Sequence, residues 1–214
     1  MKILYHHRIA SRDGQAVHLE ELIAALRAQG HEIVLVGPPS FEQQSFGGEV
    51  SFIAGLKAML PGAVYELMEL GYNLVAYRRI ERALREHKPD IIYERFNLAL
   101  LAGIWAKRRH KIPLLLEINA PLAEERAANG ELALKGIGRW CQRWIWNGAD
   151  YALPVTGVLA DHVRRYGVPD KRIVVIPNGI NPERFGRAPP GDDAKKRLKL
   201  DGRLVLGLDR KSVV

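Results

Sequence analysis

Strand-like and helix-like segments alternate along this chain, and that alternation restricts the fold more than any other feature. Short apolar runs stand at residues 2–5, 32–36, 90–93, 113–118, 151–155 and 173–176. Between them, apolar residues recur every three or four positions, as in Leu19, Leu22, Ile23 and Leu26, and again in Leu74, Tyr77, Ile80 and Leu84. Gly30 stops the first of these helices as a glycine C-cap does, and Pro89 ends the second. Further helices are expected over 98–109, 132–146 and 158–166, the last with Thr156 as its N-cap. A strand, a helix and a strand in repetition build crossover units, because neighbouring parallel strands need a long return connection. The nearly continuous apolar run at 113–118 fits a strand covered on both faces. The expected fold is α/β, a doubly wound parallel sheet of Rossmann-like type.

The chain has 214 residues, 47% hydrophobic and 26% charged, with one cysteine and a formal net charge of +8. That balance excludes a disordered chain. Cys141 has no second cysteine for a disulfide or a thiolate metal site, which suits a reducing cytoplasm. The start, MKILYHHR, lacks the apolar core of a signal peptide. The longest apolar run, 98–106, is cut short by Lys107, Arg108 and Arg109, well below the ~18 residues of a membrane span. A basic surface attracts phosphate-bearing partners. The clusters at 107–109 and 164–165 fall at helix ends, where cations also suit the helix dipole, so no nucleic-acid partner is expected. Residues 67–85 mix Leu, Tyr and Val with Arg78, Arg79, Arg82 and Arg85, which leaves open a peripheral contact with anionic lipid beside an ordinary solvated helix face.

In an open parallel sheet, ligands bind beyond the carboxyl ends of the strands. Gly14 stands there just before a helix start, where a glycine lets the backbone approach a phosphate or simply makes a turn. Glu94 and Arg95 follow the strand at 90–93 and can bind a polar ligand or pair with each other. Glu117 and Asn119 close the strand at 113–118, and Asn119 both donates and accepts hydrogen bonds. His6, His7 and His18 lack further ligands at metal-site spacing, so no metal is expected, and His18 is read as packing or bonding locally. Trp140 and Trp144, one helical turn apart, read as a core stripe. A Gly-x-Gly-x-x-Gly fingerprint, a Walker loop and a Gly-x-Ser-x-Gly elbow are all missing from the sequence.

Three stretches together resemble a known family. DGQAVHLEEL at 13–22, followed by QGHEI at 29–33, looks like a glycine loop, helix and strand entry. GAD at 148–150 leads to Val155 and Thr156. GVPDKRIVVIPNGI at 167–180, then Phe185, is the most specific. In order and spacing these are similar to the family-4 retaining glycosyltransferases, from the amino terminus to about Phe185. The resemblance implies a GT-B enzyme of two Rossmann-like domains facing a cleft. The amino-terminal one mainly binds the acceptor, a glycan or a lipid-linked molecule. The other binds the nucleotide-sugar donor and carries a basic pair and paired glutamates, without a required metal or cofactor. Transfer is with retention at the anomeric carbon, and positive charge stabilises the departing nucleoside diphosphate.

On this resemblance Asp13, Gly14, Glu94, Arg95 and Asn119 form the substrate-binding cleft wall, Asn178 and Gly179 the interdomain hinge, and no catalytic residue falls within the 214. Two positions depart from the family. Asp13 replaces the first glycine of the loop, and Asn119 replaces a frequent histidine and cannot titrate near neutral pH. The expected division is a Rossmann-like domain over 1–185, then a linker and first strand of a truncated donor-binding domain over 186–214. Residues 209–214 look foreign to a strand-to-loop transition and match the translation of a common sequencing adapter, so a truncated gene is expected, inactive alone. The alternatives are a nucleotide-sugar epimerase of the same fold and a non-catalytic binding module. The expected location is the cytoplasm, with the inner face of the membrane open.

Overall fold

Strands buried on both faces decide the architecture. The computed structural model describes residues 1–9, 14–38, 60–179 and 191–204. In the first of two units, Met1–Gly179, the order is β1 (Lys2–His6), α1 (Gly14–Ala28), β2 (Glu32–Val36), α2 (Gly62–Gly71), α3 (Asn73–His87) and β3 (Ile91–Arg95). It continues with α4 (Ala102–His110), β4 (Leu114–Ile118), α5 (Leu122–Ala128), α6 (Lys135–Gly148), β5 (Tyr151–Pro154) and α7 (Gly157–Arg165). All strand pairs are parallel, in the order β2-β1-β3-β4-β5. This is the doubly wound, Rossmann-like sheet expected from the alternation. In the second unit, Ile180–Val214, helix α8 (Gly191–Arg197) lies within the stretch expected as linker and first strand over 186–214. The first strand expected within 186–214, read from the apolar run at 204–208, lies outside the described residues except for Leu204.

Alternate strand residues feed two separate cores. Leu4, Ile92, Leu114, Leu116, Ile118 and Ala152 join Ile80 and Leu84 of α3, Ile104 of α4, Ile145 of α6 and Val163 of α7. Ile3, Tyr5, Tyr93 and Leu153, on the opposite parity, join Ala16, Leu19 and Ile23 of α1. A residue's place in its strand therefore fixes the helix layer that its side chain meets.

The helix ends follow local chemistry. Gly30 takes φ 82°, the left-handed value a glycine C-cap supplies. Thr156 Oγ1 accepts from Leu159 N at 3.1 Å, the cap expected for α7. α4 starts at Ala102 rather than 98, because Asn73, buried at the start of α3, sets its entry. Asn73 Oδ1 accepts from Leu101 N (2.6 Å) and Ala102 N (3.0 Å), while its Nδ2 donates to Ala99 O (2.6 Å) and Leu70 O (2.8 Å). The segment 67–85 is two helices, α2 and α3, meeting at Tyr72.

Two expectations are corrected. Segment 173–176 is not a strand but a single parallel bridge between Ile173 and Ala152. Val174 N and Ile176 N donate to Ala152 O and Pro154 O, each at 3.0 Å. The next rung needs an N–H from residue 154 to Val174 O, and Pro154 has none. Trp140 is no core residue. It is 55% exposed and stacks on Trp144, which packs only partly against the core beneath Arg108; Trp146 is the fully buried indole of α6.

Candidate functional site

In the order β2-β1-β3-β4-β5 the winding reverses between β1 and β3, and a ligand crevice opens at such a point beyond the strand ends. His6 ends β1, Glu94 and Arg95 end β3, and Glu117 lies one residue from the end of β4. The pleat sends these groups to opposite faces. His6 and Glu94 share the parity of Leu4 and Ile92 and face α4. Arg95 and Glu117 share the parity of Tyr93 and Leu115 and face α1.

On the α4 side, His6 Nδ1 and Glu94 Oε2 are 2.6 Å apart, and both residues are buried. Gly103 of α4 makes room for them: a Cβ there would stand 1.9 Å from Glu94 Oε2. On the α1 side, Glu117 collects four donors. Tyr5 OH (3.1 Å) reaches Oε2, and Arg95 Nη1 (2.8 Å) and Asn119 Nδ2 (2.6 Å) reach Oε1, which His18 Nε2 approaches to 3.2 Å. Burial alone would raise the Glu117 carboxyl, but the His18 bond, the Arg95 charge and the Asn119 bond outweigh it and hold the group below its usual range. A buried carboxylate survives only with such partners. Burial first, then the Glu117 charge, keeps the phenols of Tyr5 and Tyr93 neutral at any ordinary pH.

His7 closes the crevice toward β2. Its ring lies so near Gly37 that a Cβ there would stand 2.4 Å from Nε2. Burial, then the neighbouring charges of His6 and Arg95, push its pKa down to about 4. Ile9 N donates to Nδ1 at 3.1 Å, which requires an unprotonated Nδ1.

The residues read from the sequence thus divide. Asp13 lies outside the described residues, and Gly14 is the first residue of α1. Glu94 and Arg95 are engaged within the protein, with His6 and Glu117 and not with each other. Asn119 is partly exposed, and its Oδ1 has no hydrogen-bond partner among the described residues. Asn178 and Gly179 are exposed at the end of the first unit. Sequence reasoning names His6, His18 and Glu117 but does not count them in the cleft wall. An acid at one position of an otherwise apolar strand was the available signal, since a charge there demands partners. Among the described residues no three His, Cys, Asp or Glu side chains gather to hold a metal ion. Among them, too, no helix is long and apolar enough to cross a membrane.

The arrangement can offer hydrogen bonds from His18, whose side chain is 17% exposed, and from Asn119, over a charged floor held rigid by Arg95 and Glu117. This suits hydroxyl-rich ligands. The comparisons with known proteins agree with the architecture. The crystal structure of Anabaena Alr3699/HepE in complex with UDP and glucose is similar with a TM-score of 0.57 at 16% identity, covering 94% of this chain and 50% of that one. A glycosyltransferase from Rickettsia africae gives 0.54 at 13% identity, over 95% and 50% of the two chains. A UDP-N-acetylglucosamine 2-epimerase gives 0.51 at 16%, over 83% and 48%. The chain therefore spans about half the length of these structures, and the likeness shows the fold of one GT-B half. No curated protein sequence matches it significantly. The family model described as Glycosyltransferase Family 4 matches residues 12–184.

Proposed function

Because the chain belongs to Glycosyltransferase Family 4, we propose that it is the acceptor-side half of a GT-B enzyme that moves a sugar, with retention, from a nucleotide-sugar donor to a glycan or lipid-linked acceptor. The observation that carries this reading is the fixed polar network at the sheet's switch point, with the partly exposed His18 and Asn119 at its edge. Such a wall holds an acceptor hydroxyl in one orientation, and orientation is a large part of the barrier in group transfer. The donor, its diphosphate and the charges that stabilise its departure belong to a second domain outside these 214 residues. In support, UDP and glucose are bound in the Anabaena relative, a protein about twice this chain's length. Asn178 and Gly179 serve as the hinge between the halves, and the enzyme works in the cytoplasm without a metal.

Two exposed apolar rows favour a membrane-surface setting: Val64, Leu67 and Met68 on α2, and Leu74 and Val75 on α3, with Arg78 and Arg82 exposed on the same helix as the latter pair. Co-sedimentation with vesicles that does not respond to anionic lipid would remove that setting. The likeness to an epimerase favours a second reading, a nucleotide-sugar epimerase that needs no separate acceptor.

The test screens UDP-, GDP- and ADP-sugars for hydrolysis and transfer. It uses this chain and, in parallel, a longer gene product that contains it. Donor turnover by the longer protein alone is expected. A longer protein with a folded second domain that consumes no donor, with any acceptor offered, overturns the reading. Interconversion of the free nucleotide sugar without transfer selects the epimerase.

A further inference from the structure

A second polar cluster lies on the same carboxyl edge, and the network around Glu117 does not use it. Arg8 follows β1 by two residues, Asn97 follows β3 by two, and α5 begins four residues after β4. Arg126 of α5 and Arg8 converge on one carboxylate, Glu69 of α2. Arg126 Nη1 is 3.1 Å from Oε2, and Arg8 Nη1 is 3.6 Å from Oε1. Arg8 Nη1 also donates to Asn97 Oδ1 at 3.4 Å, and its guanidinium lies 4.9 Å from the centre of the Tyr72 ring. The Tyr65 hydroxyl senses the same three charges, those of Glu69, Arg8 and Arg126.

Two guanidiniums meet one carboxylate. A second acid of α2, Glu66, is committed to Ala133 N (2.6 Å) and Leu134 N (2.9 Å) ahead of α6. Each guanidinium has five N–H donors in a planar fork, and only one nitrogen of each is engaged with these partners. The side chains are 21% and 19% exposed, so the remaining donors can be reached, while ring and carboxylate fix their aim. A fixed pair of guanidinium forks on a shared carboxylate matches a tetrahedral dianion, which guanidinium binds in bidentate fashion.

We propose that Arg8 and Arg126 form a subsite for a phosphate group carried by the acceptor. The assignment to an acceptor rests on the transferase reading above; the phosphate site itself does not. The phosphate can come from a soluble phosphomonoester or from a lipid headgroup.

The experiment is calorimetric titration of the 214-residue chain with inorganic phosphate and glucose 1-phosphate, with glucose as the uncharged control. It is repeated for Arg8→Gln, Arg126→Gln and, as a control at the opposite, amino edge of the sheet, Arg27→Gln in the last turn of α1. Saturable phosphate binding is expected. It weakens at least tenfold in each of the first two variants and is unchanged in the third. In the unsubstituted protein, phosphate should also shield Arg8 and Arg126 from phenylglyoxal, read by mass spectrometry, which needs no variant to fold. Absence of saturable binding, or binding and shielding indifferent to both arginines, overturns the proposal. Vesicles of phosphatidylcholine with and without phosphatidic acid separate the sources. Arginine-dependent binding to the acidic vesicles assigns a lipid headgroup, and binding confined to glucose 1-phosphate assigns a soluble ester. Arginine-dependent phosphate binding in a protein that turns over no donor would keep this subsite and sink the transferase. Donor turnover without arginine-dependent binding would do the reverse.

Discussion

At the scale of single residues, the crevice depends on close contacts that tolerate no added atoms. Gly103→Ala would place its Cβ on Glu94 Oε2 and drive the carboxylate off His6. The substitution should lower stability by about 1–3 kcal/mol, read by urea denaturation, because an overpacked core must shift. A loss within error of zero would mean that Glu94 has room to move. His7 and Glu117 make the protein sensitive to acid, and the sign follows from their shifts. Unfolded, His7 takes a proton near its ordinary 6.5; folded, it waits until about 4. Within that window the unfolded state holds more protons, so stability falls as pH drops, by up to about 3 kcal/mol for this ring. Glu117 adds to the loss at lower pH, since its folded carboxyl sits below the ordinary 4.5 and its contribution vanishes once it is protonated. His7→Gln should flatten the dependence between 6.5 and 4, and an unaltered slope would place the acid sensitivity elsewhere.

Among the elements, Asn73 joins three helices. Its amide meets the end of α2 and the entry to α4 from the first residue of α3. Asn73→Ala leaves up to four backbone groups without partners and should cost about 3 kcal/mol, seen as a lowered denaturation midpoint. A loss under about 1 kcal/mol would show that water takes over the amide's role. Most elements could be read from the sequence because their signals are local: the period of α3, the glycine after α1, the threonine before α7. What escaped was set by distant partners. No local pattern tells that Asn73 caps a helix that begins 29 residues later, or that His18 of α1 reaches Glu117 of β4. Segment 173–176 carries strand-forming residues, yet its outcome is decided by the missing N–H of Pro154 on the partner strand.

For the whole molecule, alternation alone was enough to give the parallel sheet, and the switch point located the crevice. The identity of the groups facing it needed strand parity, which a one-residue error in register would have reversed. Among the described residues, both core clusters are drawn from those before Asn178, within the unit that ends at Gly179. A chain cut after Gly179 should therefore unfold in one cooperative transition, with a midpoint within a few degrees of the 214-residue chain by circular dichroism. A broad or missing transition would show that residues 180–214 are required for folding.

The bridge at the rim of the sheet also bears on solubility. A border strand with open amides and carbonyls invites another chain to extend the ladder, the usual first step toward aggregates. On β5 the two outward carbonyls, those of Ala152 and Pro154, are already occupied by Val174 and Ile176, and Pro154 has no hydrogen to offer. The proline that keeps residues 173–176 from becoming a sixth strand thus also denies this border to a foreign one.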